Sequence, residues 1–181
     1  GRSRRFLVEK ESDLDALETA YAAGWAAYTS PLNNQNGTAD DQYYLAAMTL
    51  KAIQDKSNGA MIAGAGTPWG EGQGDGNRGG YHLVWSRDLF KFASALLAAG
   101  DVDLARRAVE YLFGVQMQTT AGDDPYSRPG RFPQNSFVSG KPYWNVTQMD
   151  QCAMPIILAW KVHQVQPLDL IAWWPKIKMA A

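Results

Sequence analysis

Two stretches of helical apolar spacing, Ser86 to Ala99 and Val102 to Gln116, are separated by only Gly100 and Asp101. No other feature constrains the fold as strongly. Gly100 ends the first helix, Asp101 caps the second, and so short a turn makes the two lie antiparallel as a tight hairpin. Leu104, Ala108, Leu112 and Val115 form the apolar side of the second helix, and Arg106, Arg107 and Glu110 its polar side.

The flanking sequence extends the helical theme. From Ser12 or Asp13, the spacing of Leu14, Leu17, Tyr21, Ala22, Trp25 and Tyr28 predicts a helix, with Gly24 a mild interruption. Pro31 to Thr38 reads as a loop or linker. Asp40 or Asp41 then caps a helix carrying Tyr44, Leu45, Met48, Leu50, Ala52 and Ile53, expected to end near Lys56 because Ser57-Asn58-Gly59 follows. Ala60 to Gly66 is short and apolar and reads as extended. Thr147 can cap a helix that runs through Val165, where Pro155 must kink the chain or loosen one turn. Asp169 starts a last helix, which reaches Ala181 without a capping signal and is expected to be cut short.

Between these helices lie two long irregular stretches. Thr67 to Gly80 holds Pro68, Trp69 and a run of glycines, and Thr119 to Trp144 carries prolines and aromatics with almost no helical pattern. Short turns on one side and long aromatic loops on the other are how a helical toroid builds a site at one mouth. The glycine loop lacks the Gly-Lys-Ser/Thr ending and the βαβ surroundings of a phosphate cradle. Its Asp75-Gly76-Asn77 run lacks the spaced ligands and terminal Glu of a calcium loop. With His82 and His163 the only histidines and Cys152 the only cysteine, no structural zinc site and no internal disulfide are expected. No cofactor is expected.

Charge bounds the partner. A net charge of -1, with 19% charged residues, carries none of the basic excess of a nucleic-acid binder. No apolar run approaches the roughly 18 residues of a membrane span, so no membrane partner is expected either. Seven Trp and eight Tyr supply groups that both stack and donate hydrogen bonds, the combination an uncharged polyhydroxylated ligand needs.

Gly79 to Asp88 reads Gly-Gly-Tyr-His-Leu-Val-Trp-Ser-Arg-Asp and places Arg87 and Asp88 in the first turn of a helix. Asp88 suits the positive helix end; Arg87 is electrostatically misplaced there. Its donors would serve a polar partner in front of the helix: Asp88 itself, a neighbouring loop or a ligand hydroxyl. The plain alternative is a capping Asp beside an Arg that points to water. Trp144, Gln148 and Asp150 form a similar group at the next helix start. Two helix starts, each preceded by a Trp and bearing hydrogen-bonding side chains, converge on one site if both mouths face the same way.

In this setting the chain resembles glycoside hydrolase family 15, the glucoamylases and glucodextranases. The resemblance rests on Asp55-Lys56 with Gly59-Ala60-Met61-Ile62-Ala63, Pro68-Trp69-Gly70, and Gly80-Tyr81-His82-Leu83-Val84-Trp85-Ser86-Arg87-Asp88-Leu89. It continues through Phe132-Pro133-Gln134-Asn135, Gly140-Lys141-Pro142-Tyr143-Trp144, Gln148-Met149-Asp150 and Pro155-Ile156-Ile157-Leu158-Ala159-Trp160, all in the family's order. It departs at Ser86, where relatives often have Pro or Thr, and at Gln151, where bacterial relatives commonly have an acidic residue.

The resemblance implies an all-α fold, an incomplete (α/α)6 toroid of about six helices with long aromatic loops and little or no β-structure. It implies residues 1–38 as a connector helix and linker and 39–181 as the N-terminal portion of a catalytic domain that removes glucose, with inversion, from the non-reducing ends of α-glucans. Arg87 and Asp88 would grip hydroxyls of the terminal glucose, Tyr81 and Trp85 would wall it, and Trp144, Gln148 and Asp150 match the family's pocket tryptophan and neighbouring polar positions. Inverting hydrolysis needs two carboxyls about 6.5 to 9.5 Å apart, one a proton donor and one a base. The resemblance puts both family glutamates beyond Ala181, and Glu9, Glu11, Glu18, Glu71 and Glu110 lack their context, so no catalytic residue is expected in this chain. The partner expected is an α-glucan oligo- or polysaccharide, with the remainder of the domain packing on the exposed helical face. A stand-alone, non-catalytic sugar-binding helical module is the alternative.

Overall fold

The computed structural model describes residues 14–33, 40–66, 80–119, 128–144 and 148–181. The glycine loop over 67–79 with Glu71, most of the Pro31 to Thr38 linker, and Thr147 lie outside the described residues. The chain divides into two units, Gly1–Leu32 and Asn33–Ala181.

The first unit contains helix α1, Leu14–Thr29, which runs through Gly24 without a break and buries no residue. Its aromatic side follows helical spacing, with the Trp25 ring edge-on to Tyr21 at 6.0 Å and to Tyr28 at 5.9 Å.

The second unit holds α2 (Asp41–Ile53), α3 (Ser86–Ala98), α4 (Val102–Gly114), α5 (Met149–Val165) and α6 (Leu170–Ala180). α3 packs on both α4 and α5, and α4 packs on α5. The core lies between these three, where Leu89, Ala93 and Leu96 of α3 meet Ala105, Ala108, Val109 and Leu112 of α4 and Leu158, Ala159 and Val162 of α5. The small residues let the axes approach, and the larger ones recur every three or four positions.

The hairpin forms as its sequence requires. Gly100 adopts φ 91°, its amide bonds the Leu97 carbonyl, and the Asp101 amide bonds that of Leu96, closing α3 with paired backbone bonds. Asp101 then turns its carboxylate to the Leu104 amide and opens α4, so one residue ends one helix and starts the next. Asp40 and Asp169 cap α2 and α6 in the same way.

Two boundaries differ from the expected ones. α2 stops at Ile53, short of Lys56, because Gln54 turns extended, bridges Met61 and sends its side-chain amide to the Leu104 carbonyl. α4 stops at Gly114, and Gln116 leaves the helix to bond the carbonyls of Gly130 and Lys176. α5 reaches Val165, as expected, with Pro155 inside it, where one amide donor is missing from the helix.

The long stretch before Trp144 is more ordered than its composition predicts. It contributes two strands to a small antiparallel sheet in the order β1 (Val84–Trp85), β2 (Asn135–Ser136), β3 (Pro142–Trp144). Gly140, at φ 87°, closes the β2–β3 turn, its amide bonded to the Phe137 carbonyl. The sheet is moored to α4 by Tyr111, whose hydroxyl donates to the Phe137 carbonyl at 2.8 Å and lies 2.8 Å from Ser136 Oγ. Burial pushes the Tyr111 phenol up to about 12, so it remains a donor at neutral pH. Among the described residues no helix is long and apolar enough to cross a membrane.

Candidate functional site

The sheet sets the aromatic half of the site. Asn135 pairs with Trp85 on one side and with Trp144 on the other, so the two tryptophans flank one buried asparagine. Their rings meet edge-on with centroids 5.8 Å apart. Asn135 holds the arrangement directly, its Oδ1 accepting the Trp144 amide at 2.9 Å. Trp85 is fixed from the far side, its Nε1 donating to the Gly80 carbonyl at 3.0 Å. β3 spends three residues where β2 spends two, with the irregularity between Asn135 and Ser136. In a regular strand Tyr143 and Trp144 would point to opposite faces; this bulge lets their rings stack at 5.7 Å and 26°.

The polar half comes from two helix starts. Trp85 is the residue before α3 and Gln148 the residue before α5, and neither caps with its side chain. Arg87 crosses between them: its Nη1 donates to Asp150 Oδ2 at 2.7 Å and to Gln148 Oε1 at 3.2 Å. Of the partners expected in front of the helix, Arg87 therefore takes two residues of the second group and leaves Asp88 aside. Its Nη2 and Nε, and the Asp88 carboxylate, make no hydrogen bond among the described residues. The Arg87 guanidinium carbon also lies 6.0 Å from the Trp85 ring centre, joining the polar and aromatic halves.

Of the seven expected site residues, Trp85, Arg87, Trp144, Gln148 and Asp150 form one connected group. Asp88 follows Arg87 in the same turn, half-buried. Tyr81 is 53% exposed and among the described residues its ring stacks on no other aromatic. Two residues that hold the site were not singled out for it. Asn135 stood only in a motif, and Gln151 only as a departure from relatives. Gln151 is fully buried; its Oε1 accepts the Ser86 amide at 3.0 Å and its Nε2 donates to Gln148 Oε1. Its place three residues after Gln148, one helical turn along, is the one local signal that pointed to it.

The Arg87 guanidinium, by hydrogen bonding, holds the Asp150 carboxyl below the usual aspartate range, with burial opposing. A carboxyl with a lowered folded pKa stabilises the folded state fully above its unfolded pKa of about 3.9, and that contribution is lost as pH falls through the lowered value. The side chains are 35% and 41% exposed, so solvent screens the pair and the effect is small. Asp150→Asn should melt slightly below wild type at about pH 6, and the gap should shrink as the pH falls below the ordinary aspartate range. A gap that persists or widens on acidification contradicts this assignment.

The family model described as glycosyl hydrolases family 15 matches residues 37–177. A protein of Clostridium sp. (strain G0005) named glucoamylase is 48% identical over 156 residues, which cover 86% of this chain and 21% of that one. Among solved structures, a bacterial glucoamylase complexed with acarbose matches with a TM-score of 0.71 at 46% identity, over 87% of this chain and 22% of the other. The chain thus spans about a fifth of the length of these relatives.

Proposed function

The chain belongs to glycosyl hydrolase family 15, and from that premise we propose that the intact protein is an inverting, exo-acting α-glucosidase of the glucoamylase type, releasing glucose from the non-reducing ends of α-glucans. The fold is accordingly all-α, an incomplete (α/α)6 toroid, with six helices and one three-stranded sheet among the described residues. In this reading residues 39–181 supply the glucose-binding wall, residues 1–38 serve as connector and linker, and the catalytic glutamates lie outside this chain.

The observation that carries the reading is the Arg87–Asp150 pair, which ties two helix N-termini together beside the edge-on Trp85 and Trp144 rings. A pyranose presents apolar C–H faces and a rim of hydroxyls, and this group offers aromatic rings next to the Arg87 guanidinium and the Asp88 and Asp150 carboxylates. Asp150, kept ionised by Arg87, has no proton to give a leaving oxygen and is suited to gripping a hydroxyl. Ile157, Trp160, Leu170, Ile171 and Trp174 are exposed on α5 and α6, and the rest of the catalytic domain packs on that apolar face.

The intact protein should release β-glucose from maltotriose and be inhibited by acarbose; the 181 residues alone should release none. Absence of glucose release by the intact protein sinks the enzymatic reading. Turnover by the isolated chain sinks the assignment of the catalytic groups elsewhere.

A further inference from the structure

Hydrogen-bond polarity at the two helix starts is forced. The Ser86 amide and the Arg87 guanidinium can only donate. Gln151 must therefore turn Oε1 to Ser86, at 3.0 Å, which leaves its Nε2 as the group that reaches Gln148. Gln148 must meet that donor with Oε1, the atom that also accepts from Arg87 Nη1 at 3.2 Å. With the oxygen taken twice, the Gln148 Nε2 amide is left over, and among the described residues it has no partner.

We propose that Gln151 is a positioning residue that locks the Gln148 side-chain amide in one orientation, so that position 148 meets the ligand as a hydrogen-bond donor. Gln151 is fully buried and does its work through Gln148. Asp88 and Asp150 accept only, so each sugar hydroxyl they grip spends its proton on them and then needs a donor for its own oxygen. Gln148 Nε2 supplies one, next to Arg87 Nη2 and Nε, which make no hydrogen bond among the described residues. An acidic residue at 151 could still accept the Ser86 amide but could not donate to Gln148, and would turn the amide round.

The inference rests on this group being a sugar site, and its test separates the two. In the intact protein, Gln148→Glu keeps an inward oxygen for Arg87 and Gln151 but faces the ligand with an acceptor; KM for maltotriose should rise about tenfold with no loss of melting temperature. Gln151→Glu should raise KM about tenfold as well, and Gln151→Met, which keeps the volume and is tolerated if a buried carboxylate is not, by severalfold. In a Gln148→Ala background neither substitution at 151 should change KM further, whereas a merely structural Gln151 would cause the same loss in both backgrounds. Melting temperatures of the four proteins of the Gln151→Met, Gln148→Ala cycle, measured without ligand, should be non-additive. Additive KM effects, additive melting temperatures, or a Gln148→Glu protein with unchanged KM overturns the lock. A wild-type protein that binds no α-glucan instead overturns the sugar reading, while the ligand-free melting cycle still decides the lock.

Discussion

Arg87→Ala is expected, on the proposed function, to lower kcat/KM of the intact protein on maltotriose about a hundredfold, equivalent to about 3 kcal/mol of transition-state binding. The magnitude follows from what one side chain does here. Nη1 holds Asp150 and Gln148, while Nη2 and Nε make no hydrogen bond among the described residues and in the proposed function serve the ligand. Removal would delete the charge-assisted donors proposed for the ligand, take the cation from the Trp85 face and leave the Asp150 carboxylate without its Arg87 partner. The Asp150 carboxyl should rise back towards the ordinary aspartate range, which a carbon-detected NMR titration reads directly. Arg87→Lys should recover stability more than activity, because a single ammonium can replace Nη1 but not the planar fork beside it. Activity within about threefold of wild type for Arg87→Ala would remove Arg87 from the site.

What the amino-acid order reveals about this molecule divides by the range of the interaction. The α3–α4 hairpin is legible because Gly100 and Asp101 bond atoms within a few residues of themselves. The caps at Asp40 and Asp169 are equally local. Helix ends that respond to distant partners are not: α2 is cut at Gln54 by a carbonyl on α4, and no pattern near Gln54 encodes that. The sheet escapes notice for a related reason. Strands of two or three residues are too short to show a period of two, and β1 and β2 pair across about fifty residues of chain.

The candidate site follows the same rule. Its candidate side chains could be singled out in the sequence, since an Arg in the first turn of a helix is electrostatically misplaced and a Trp stands before each of the two helix starts. The pairing of Arg87 with Asp150 was not, because spacing alone could not prefer it over Asp88. Gln151 is the clearest case. A glutamine in the first turn of a helix looks like solvent-facing filler until the fold buries it completely and gives both ends of its amide a partner.

The largest stability loss is expected from Gly59→Ala. Gly59 sits at φ 85° in the turn that follows α2, where its amide bonds the Asp55 carbonyl at 2.9 Å. Asp55 braces that turn with its carboxylate on the amides of Ser57 and Asn58, and Arg107 of α4 reaches back to the carbonyls of Asp55 and Lys56. An added Cβ would lie 2.4 Å from the Arg107 carbonyl oxygen and 2.7 Å from its carbon. Both are backbone atoms of α4, the helix packed between α3 and α5, so neither side can yield cheaply. Left-handed backbone alone costs an alanine about 1 to 2 kcal/mol, and relieving the overlap should bring the total to about 4 kcal/mol, or a drop in melting temperature of about 10 °C. Two other left-handed glycines calibrate the expectation. Gly140 meets only the Val115 side chain, at 3.4 Å, and its alanine variant should cost about 1 kcal/mol. Gly130 would collide with the Met179 carbonyl, but α6, with no buried residue, can lift away. Chemical denaturation of the Gly59→Ala and Gly140→Ala proteins tests the ranking; equal midpoints would show that the Asp55–Gly59 turn is not seated against α4.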